Sequence, residues 1–542
     1  MAREQFALPG ATRPPRPRSL PLVPAGGLTL EHGLFLVLVA GASALTLLLV
    51  LAGGQFGFST VLVGVVCVLV AAAVIWRPVT GLYLVAGCAL LIEQDALATP
   101  IFTDHLYVFG WPNQLQGLPE RPIGFVILFI LLVCACQRFA RREWALRGGA
   151  LLWPFVLLLL CVALGVAHGL ATGGAFRIIV LEVRPFWYFF VSYLLAYNLV
   201  TELRQIQTFL WITILATAFK ALQGIYVVIV ALHGHVAGQN AILAHEQSYF
   251  FVLVLVLLVL FCLHQAHRAQ LVVVLVALPL LLLALIANNR RADYVAFLLG
   301  AAVAWALVVA IRPRARRWLV AGGIVCAVLG AAYVLAFANA GGTIGAPAHA
   351  ILSVIHPSSQ DARDLSSNVY RYIENYDLKY TEQQNPLLGY GFGKPFLQPI
   401  VLPNILALDP YYLYIPHNNI YWVWMRLGPL GFAALWYVIG SIIVRGSLLA
   451  RHLTDPLAQR FAIFVVAAMV MEVVVAYSDY QFFFYRNIIY IGLLAGILIK
   501  LPQLVRAPAP PSDLDQEGNT TVNEDPRGVS PPALSYVGSR HA

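Results

Sequence analysis

His417 stands in the run Ile415-Pro416-His417-Asn418-Asn419, directly before a long apolar segment. A neutral imidazole can take a proton from a sugar hydroxyl near neutral pH. Pro416 pushes its predecessor away from helical geometry, so His417 opens a new helix. Asn418 and Asn419 can cap that helix or orient the ring. The same three residues also read as an N-cap cluster without chemistry. Tyr421 and Trp424 follow one and two turns on, on roughly the same face, and can wall a sugar ring or an apolar chain.

Three arginines offer anionic company. Arg184 lies in Leu181-Glu182-Val183-Arg184-Pro185, where the proline suits a first helical turn. Its fork of donors matches phosphate oxygens. Arg177 and Glu182 complete this candidate binding turn, although Arg184 can equally pair with Glu182 or reach lipid phosphate. Arg290 and Arg291 sit in a tight turn between two apolar segments. One can grip a phosphate while Asp293 neutralises the other, and both can be plain interface residues. Arg371 belongs to a charged stretch with Glu374, Asp377 and Lys379, which otherwise reads as solvated surface. Among the four, Arg371 shares a loop with His417 and is the best candidate.

The elements that must position these residues are membrane spans. The chain of 542 residues is 60% hydrophobic and 11% charged, with mean hydropathy +0.79. A soluble domain carries about a quarter charged residues, so a soluble fold is excluded. A span needs about 20 apolar residues. About 14 candidates follow, near 33–53, 57–75, 79–93, 122–137, 151–168, 185–200, 207–232, 247–264, 270–287, 292–311, 318–338, 418–443, 461–477 and 488–502. The expected fold is an all-α polytopic transmembrane bundle with one large extracytoplasmic loop, 339–412. Residues 1–30 and 503–542 read as disordered cytoplasmic tails. The first is Pro-rich and lacks a signal-peptide h-region.

Charge bookkeeping orients the bundle. With the N-terminus inside, Arg138, Arg141, Arg142, Arg147, Arg204, Arg268, Arg312, Arg314, Arg316, Arg317, Arg445, Arg451 and Arg460 all fall inside. The loop 94–121, the 177–184 turn, the 288–291 turn and the loop 339–412 then lie outside. In that last loop Val369, Tyr372, Ile373 and Tyr376 have the spacing of one amphipathic helix. Tyr411, Tyr412 and Tyr414 sit where an interfacial belt belongs. The +9 charge needs no nucleic acid to explain it. The seven cysteines are scattered in apolar runs and read as packing residues. His233, His235 and His245 have no known ligand spacing, so no metal is assigned. Gly389–Gly393 lacks a following Gly-Lys-Ser and is no nucleotide loop.

Three stretches resemble the O-antigen ligase and Wzy-type polysaccharide polymerase superfamily, over roughly residues 170 to 500. The first is Glu182-Val183-Arg184-Pro185 with Tyr188 and Tyr193. The second is Asn289-Arg290-Arg291-Ala292-Asp293, with alanine where glycine is usual. The third joins Arg371, Asn385-Pro386-Leu387-Leu388-Gly389-Tyr390-Gly391-Phe392-Gly393, His417-Asn418-Asn419-Ile420-Tyr421 and Leu427-Gly428-Pro429-Leu430-Gly431. The resemblance implies a GT-C-like glycosyltransferase of the bacterial cytoplasmic (inner) membrane. Its donor is a polyprenyl-diphosphate-linked oligosaccharide. Its acceptor is a glycan, a glycolipid or a protein. No cofactor or metal is implied, and other polysaccharide assembly proteins are possible partners. By resemblance Arg184 and one of Arg290 and Arg291, with Arg291 favoured, hold the diphosphate, and His417 helps activate the acceptor. Ligase and polymerase both stay open.

Two other classes compete. A transporter of an anionic lipid or solute suits buried arginines and many helices. Such a protein should show related halves, and no repeat is visible. A non-catalytic component of an envelope assembly machine would use the tails as contacts.

Overall fold

The computed structural model describes residues 58–93, 120–143, 146–234, 241–264, 268–340, 342–355, 362–405 and 410–506, with isolated positions elsewhere. The expected N-terminal tail, most of the first span and most of the loop 94–121 lie outside the described residues, as does the expected C-terminal tail beyond Arg506; its first residues, from 503, continue the last helix. The described chain is helical without a strand. Its helices are α1 (Phe58–Trp76), α2 (Val79–Leu91), α3 (Pro122–Ala140), α4 (Leu152–Ala171), α5 (Phe176–Leu199), α6 (Leu203–Tyr226), α7 (Gln247–Leu263), α8 (Arg268–Asn288), α9 (Arg291–Ile311), α10 (Arg316–Ala336), α11 (Gly342–Ile355), α12 (Ala362–Gln383), α13 (Asn419–His452), α14 (Pro456–Ala476) and α15 (Tyr485–Arg506). A π-helical turn, Val227–Ala231, extends α6.

Among the described residues ten helices are long and apolar enough to cross a membrane, and four apolar helices are shorter. The chain is a multi-pass helical membrane protein, as its composition demands. Burial separates core from rim. The windows in α14 and α15 are 78% and 83% buried inside the protein, while that of α10 has no buried residue and lies at the rim. Helix α7 has 17 residues, about 26 Å at 1.5 Å per residue. It is short for a bilayer, yet nearly every side chain in it is buried against other helices.

Helix α15 packs most closely on α5. Gly492 and Gly496 make this possible. A Cβ on either would come within 2.7 Å of Phe189 O or 2.4 Å of Tyr193 O. Small residues four apart let two backbones approach where dispersion, not hydrophobicity, drives association. Buried Arg486 ties the start of α15 to two other elements. It donates to Ala89 O and Leu90 O at the end of α2, and to Glu246 and Gln247 at the start of α7. Carbonyls at a helix end lack intrahelical donors, so a guanidinium there meets a real need.

Three expectations change. Arg184 sits inside α5, which starts at Phe176, and Pro185 lies within the helix rather than in its first turn. The loop 339–412 is largely ordered, holding α11 as well as the expected α12. Helix α12 turns its polar side inward: Glu374, Asp377 and Thr381 are buried, while Val369, Tyr372 and Tyr376 face out. Its buried polar groups hold neighbouring backbone, since Asp377 accepts from Ile400 N and Thr381 from Leu397 N. Backbone donors of the irregular chain outweigh the apolar stripe in choosing the face.

Candidate active site

His417 is gripped on one side and met on the other. Glu374, brought by α12, accepts from the His417 backbone N–H at 3.0 Å and lies 3.1 Å from Nδ1. A carboxylate there fixes the proton on Nδ1 and leaves Nε2 as the basic nitrogen. Nε2 lies 3.0 Å from the Tyr480 hydroxyl. The imidazole stacks beside Tyr480, with centroids 4.5 Å apart, and takes an edge contact from Tyr370.

Tyr480 belongs to the turn between α14 and α15, residues 477–484. This turn is the hub of the site. Asp479 pairs with Arg290 at 2.5 Å. Phe482 N donates to Asn419 Oδ1, and Asn419 Nδ2 donates to Pro416 O, so one side chain staples the turn to the chain entering His417. Phe483 packs with Leu181 and Ile415. Just beyond the turn, the guanidiniums of Arg184 and Arg121 lie 5.7 Å and 5.9 Å from the Tyr485 ring centroid. Asn418 caps α13 by accepting from Tyr421 N.

The electrostatics centre on Asp479. Burial alone would raise its carboxyl, but Arg290, His245, His417 and Arg371 hold it well below the usual carboxylate range. The same crowd acts on His245. Burial first, then Arg290, His417 and Arg371 against the opposing Asp479, push it down to about 4. Arg371 is lowered by burial and by Arg290 and Arg291, against the pull of Asp479 and Glu374.

The arginines differ in what they already hold. Arg290 is committed to Asp479. Arg291 donates to Ser353 and to Asn368, at 3.3 and 3.4 Å. Asp293 Oδ1 is buried without a hydrogen-bond partner among the described residues. Arg184 is 8% exposed, and its Nε and Nη1 have no hydrogen-bond partner there; Arg371 Nε is in the same position. Glu182, one helical turn from Arg184 at most, is not its partner. It pairs with Arg426 at 2.6 Å, and both side chains are fully buried. Arg177 is exposed in the first turn of α5.

The Glu182–Arg426 pair seats the glycine-rich strap 389–393 on the bundle. Gly393 N donates to Glu182 Oε2, and Arg426 donates to Gly391 O and Tyr414 O. Gly393 has φ +86°, and a Cβ there would come 2.4 Å from Ile179 Cγ1. Gly428, φ +63° and ψ −172°, breaks α13 into two helices where the strap crosses it. The motif therefore anchors the loop that carries Glu374 and His417. Tyr421 is partly exposed beside the cap, whereas Trp424 stacks on Phe432 of its own helix. Tyr411 and Tyr414 pack on the Leu181–Ile415–Phe483 cluster.

Four residues of the site escaped the sequence reading: Tyr480, Asp479, Arg426 and Arg121. A short polar interruption, Ser478-Asp479-Tyr480-Gln481, between two apolar helices was the available signal for the first two. A lone arginine within an apolar span was the signal for Arg426. Among the described residues no group of three His, Cys, Asp or Glu could hold a metal ion. His235 lies outside the described residues.

No curated protein matches the chain. Residues 276–436 match the family described as O-Antigen ligase. That stretch contains Arg290, Arg291, Arg371, Glu374, the glycine strap and His417 together. The match supports, over residues 276–436, the resemblance to the O-antigen ligase and Wzy-type superfamily read from those motifs.

Proposed function

We propose that this protein transfers or polymerises glycan from a polyprenyl-diphosphate-linked donor at the extracytoplasmic face of the bacterial inner membrane. The observation that carries the reading is the His417 environment: a carboxylate on Nδ1, a basic Nε2 met by the Tyr480 hydroxyl, and arginines in the same charge cluster. The site end of the bundle holds the starts of α9, α13 and α15. The arginine-rich loops after α9 and after α13 belong to the opposite end. By the positive-inside rule the opposite end is cytoplasmic, with both chain termini there.

In this reading a sugar bonded to diphosphate meets an acceptor hydroxyl. Charge grows on the leaving phosphate, and fixed guanidiniums stabilise it more than they stabilise the bound donor. Arg184 and Arg371 have donors to spare. Arg290, rather than Arg291, belongs to the electrostatic cluster of His417 and Asp479. The anomeric carbon becomes oxocarbenium-like, and His417 takes the proton of the attacking hydroxyl. Glu374 and Asp479 are engaged by His417 and Arg290, which favours direct displacement and inversion over a carboxylate-bound intermediate. The arginines supply the positive charge, so the reaction is metal-independent. Asn418 and Tyr421 border the acceptor side. Residues 31–502 form the catalytic domain, and the flanking tails take no part in the chemistry.

The test is reconstitution of the full chain in liposomes with a polyprenyl-diphosphate-linked oligosaccharide. Product that lengthens on its lipid carrier identifies a polymerase, and glycan moved to a second acceptor identifies a ligase. His417→Ala should abolish either product at normal protein level, and EDTA should change nothing. Full activity of His417→Ala would end the reading.

A further inference from the structure

The base nitrogen of His417 is already occupied. Glu374 claims Nδ1, and an imidazole has a single in-plane lone pair on Nε2. That lone pair receives the Tyr480 hydroxyl at 3.0 Å. An acceptor alcohol must either displace the phenol or pass its proton through it.

The setting of Tyr480 argues against displacement. Its backbone N–H donates to the Asp479 carboxylate at 2.9 Å, and its carbonyl accepts from Phe483 N and Phe484 N. Its ring stacks on His417 and takes an edge contact with Phe484. The turn that bears it is stapled by Asn419 and pinned through Asp479 to Arg290. The turn's backbone is thus fixed, and swinging the hydroxyl away would break the ring contacts with His417 and Phe484. A phenol is also suited to the alternative, because its oxygen can accept one hydrogen bond while its proton is donated in another.

We propose that Tyr480 is a catalytic proton relay between the acceptor hydroxyl and His417, an inference that rests on the glycosyl-transfer reading above. The acceptor binds with its hydroxyl against the Tyr480 oxygen. Its oxygen forms the bond to the anomeric carbon as the carbon–oxygen bond to the diphosphate breaks. The electron pair of that bond leaves with the phosphate. The acceptor's proton passes to the Tyr480 oxygen, and the Tyr480 proton passes to Nε2. The imidazolium, held by Glu374, then returns a proton to water. The phenol ends as it began, and the acceptor sits one hydroxyl farther from the imidazole than direct base catalysis would place it.

Two variants of the full chain test this in the reconstituted assay. Tyr480→Phe keeps the ring and removes the relay. It should lower kcat about 10²-fold or more, the lower end of the range for general-base effects, with acceptor KM within about twofold. Replacing Tyr480 with a fluorinated tyrosine keeps the hydroxyl and makes it more acidic than the phenol of tyrosine. The alkaline limb of the kcat profile should then move to lower pH, a change that a purely structural role would not produce. If Tyr480→Phe is poorly folded, the fluorotyrosine protein decides. Wild-type kcat in Tyr480→Phe, or an unmoved alkaline limb with fluorotyrosine, overturns the relay. If His417→Ala is inactive in the same assay, that failure belongs to the relay alone. If His417→Ala is active, the glycosyl-transfer reading has failed first.

Discussion

Glu374 holds His417 twice, once through the backbone N–H and once through Nδ1. One carboxylate thus sets both the position and the tautomer of the ring. Glu374→Gln keeps the shape but removes the charge that stabilises a protonated imidazole. Turnover should fall roughly 10²-fold to 10³-fold, within the range for losing an effective general base. Donor KM should hardly change. Steady-state transfer kinetics check both, and an unchanged kcat would assign Glu374 a packing role.

Arg184 and Arg290 should fail differently. Arg184 is held chiefly by the Tyr485 ring, a contact worth about 1–2 kcal/mol when desolvated. Arg184→Ala should cost about 10²-fold or more in transfer, the scale for losing one preorganised charge-stabilising donor. The thermal midpoint should shift by only a few degrees. Arg290→Ala strands the buried Asp479 carboxylate, and breaking such a pair costs about 3–5 kcal/mol. It should therefore melt well below Arg184→Ala in the same detergent.

The Glu182–Arg426 pair makes a double-mutant prediction. Either partner replaced alone by leucine leaves a buried charge, again at about 3–5 kcal/mol. Replacing both should recover a large part of that loss in a thermal melt. Transfer should recover less, because Gly393 N and Gly391 O lose their side-chain partners and the strap loosens. Additive single-mutant losses would show that the pair is not coupled.

His245 sets a pH dependence of stability. Its folded pKa is depressed to about 4, while an unfolded histidine titrates near 6.5. Between these values the unfolded chain binds the extra proton, so stability rises with pH. The contribution is complete above about 6.5 and is lost as pH falls toward 4. Melting midpoints of the detergent-solubilised protein should drop across that window. His245→Gln should flatten the slope, and an identical slope in that variant would exclude His245 as its source.

The sequence by itself determined that the chain is a bundle of membrane helices. Span length, hydropathy and arginine bias are local quantities, set by the cost of placing charge and unpaired backbone in hydrocarbon. It also marked His417, Arg184 and the 290–291 turn, because short polar words between apolar helices are conspicuous. Glu374 was visible only as one charge in a hydrophilic helix. Its inward face cannot be read from periodicity, since α12 exposes Val369, Tyr372 and Tyr376 of its apolar stripe and buries Glu374, Asp377 and Thr381.

Only the tertiary structure decided who partners whom. Arg290 takes Asp479, 189 residues away, in place of Asp293 three positions on. Glu182 takes Arg426 instead of its near neighbour Arg184. Tyr480 reaches His417 because Asn419 clamps one turn against another. Partner choice inside a bundle follows from which helix ends meet and which buried donors then lack acceptors. That is settled by close packing such as the α5–α15 contact at Gly492 and Gly496, and no window of sequence contains it.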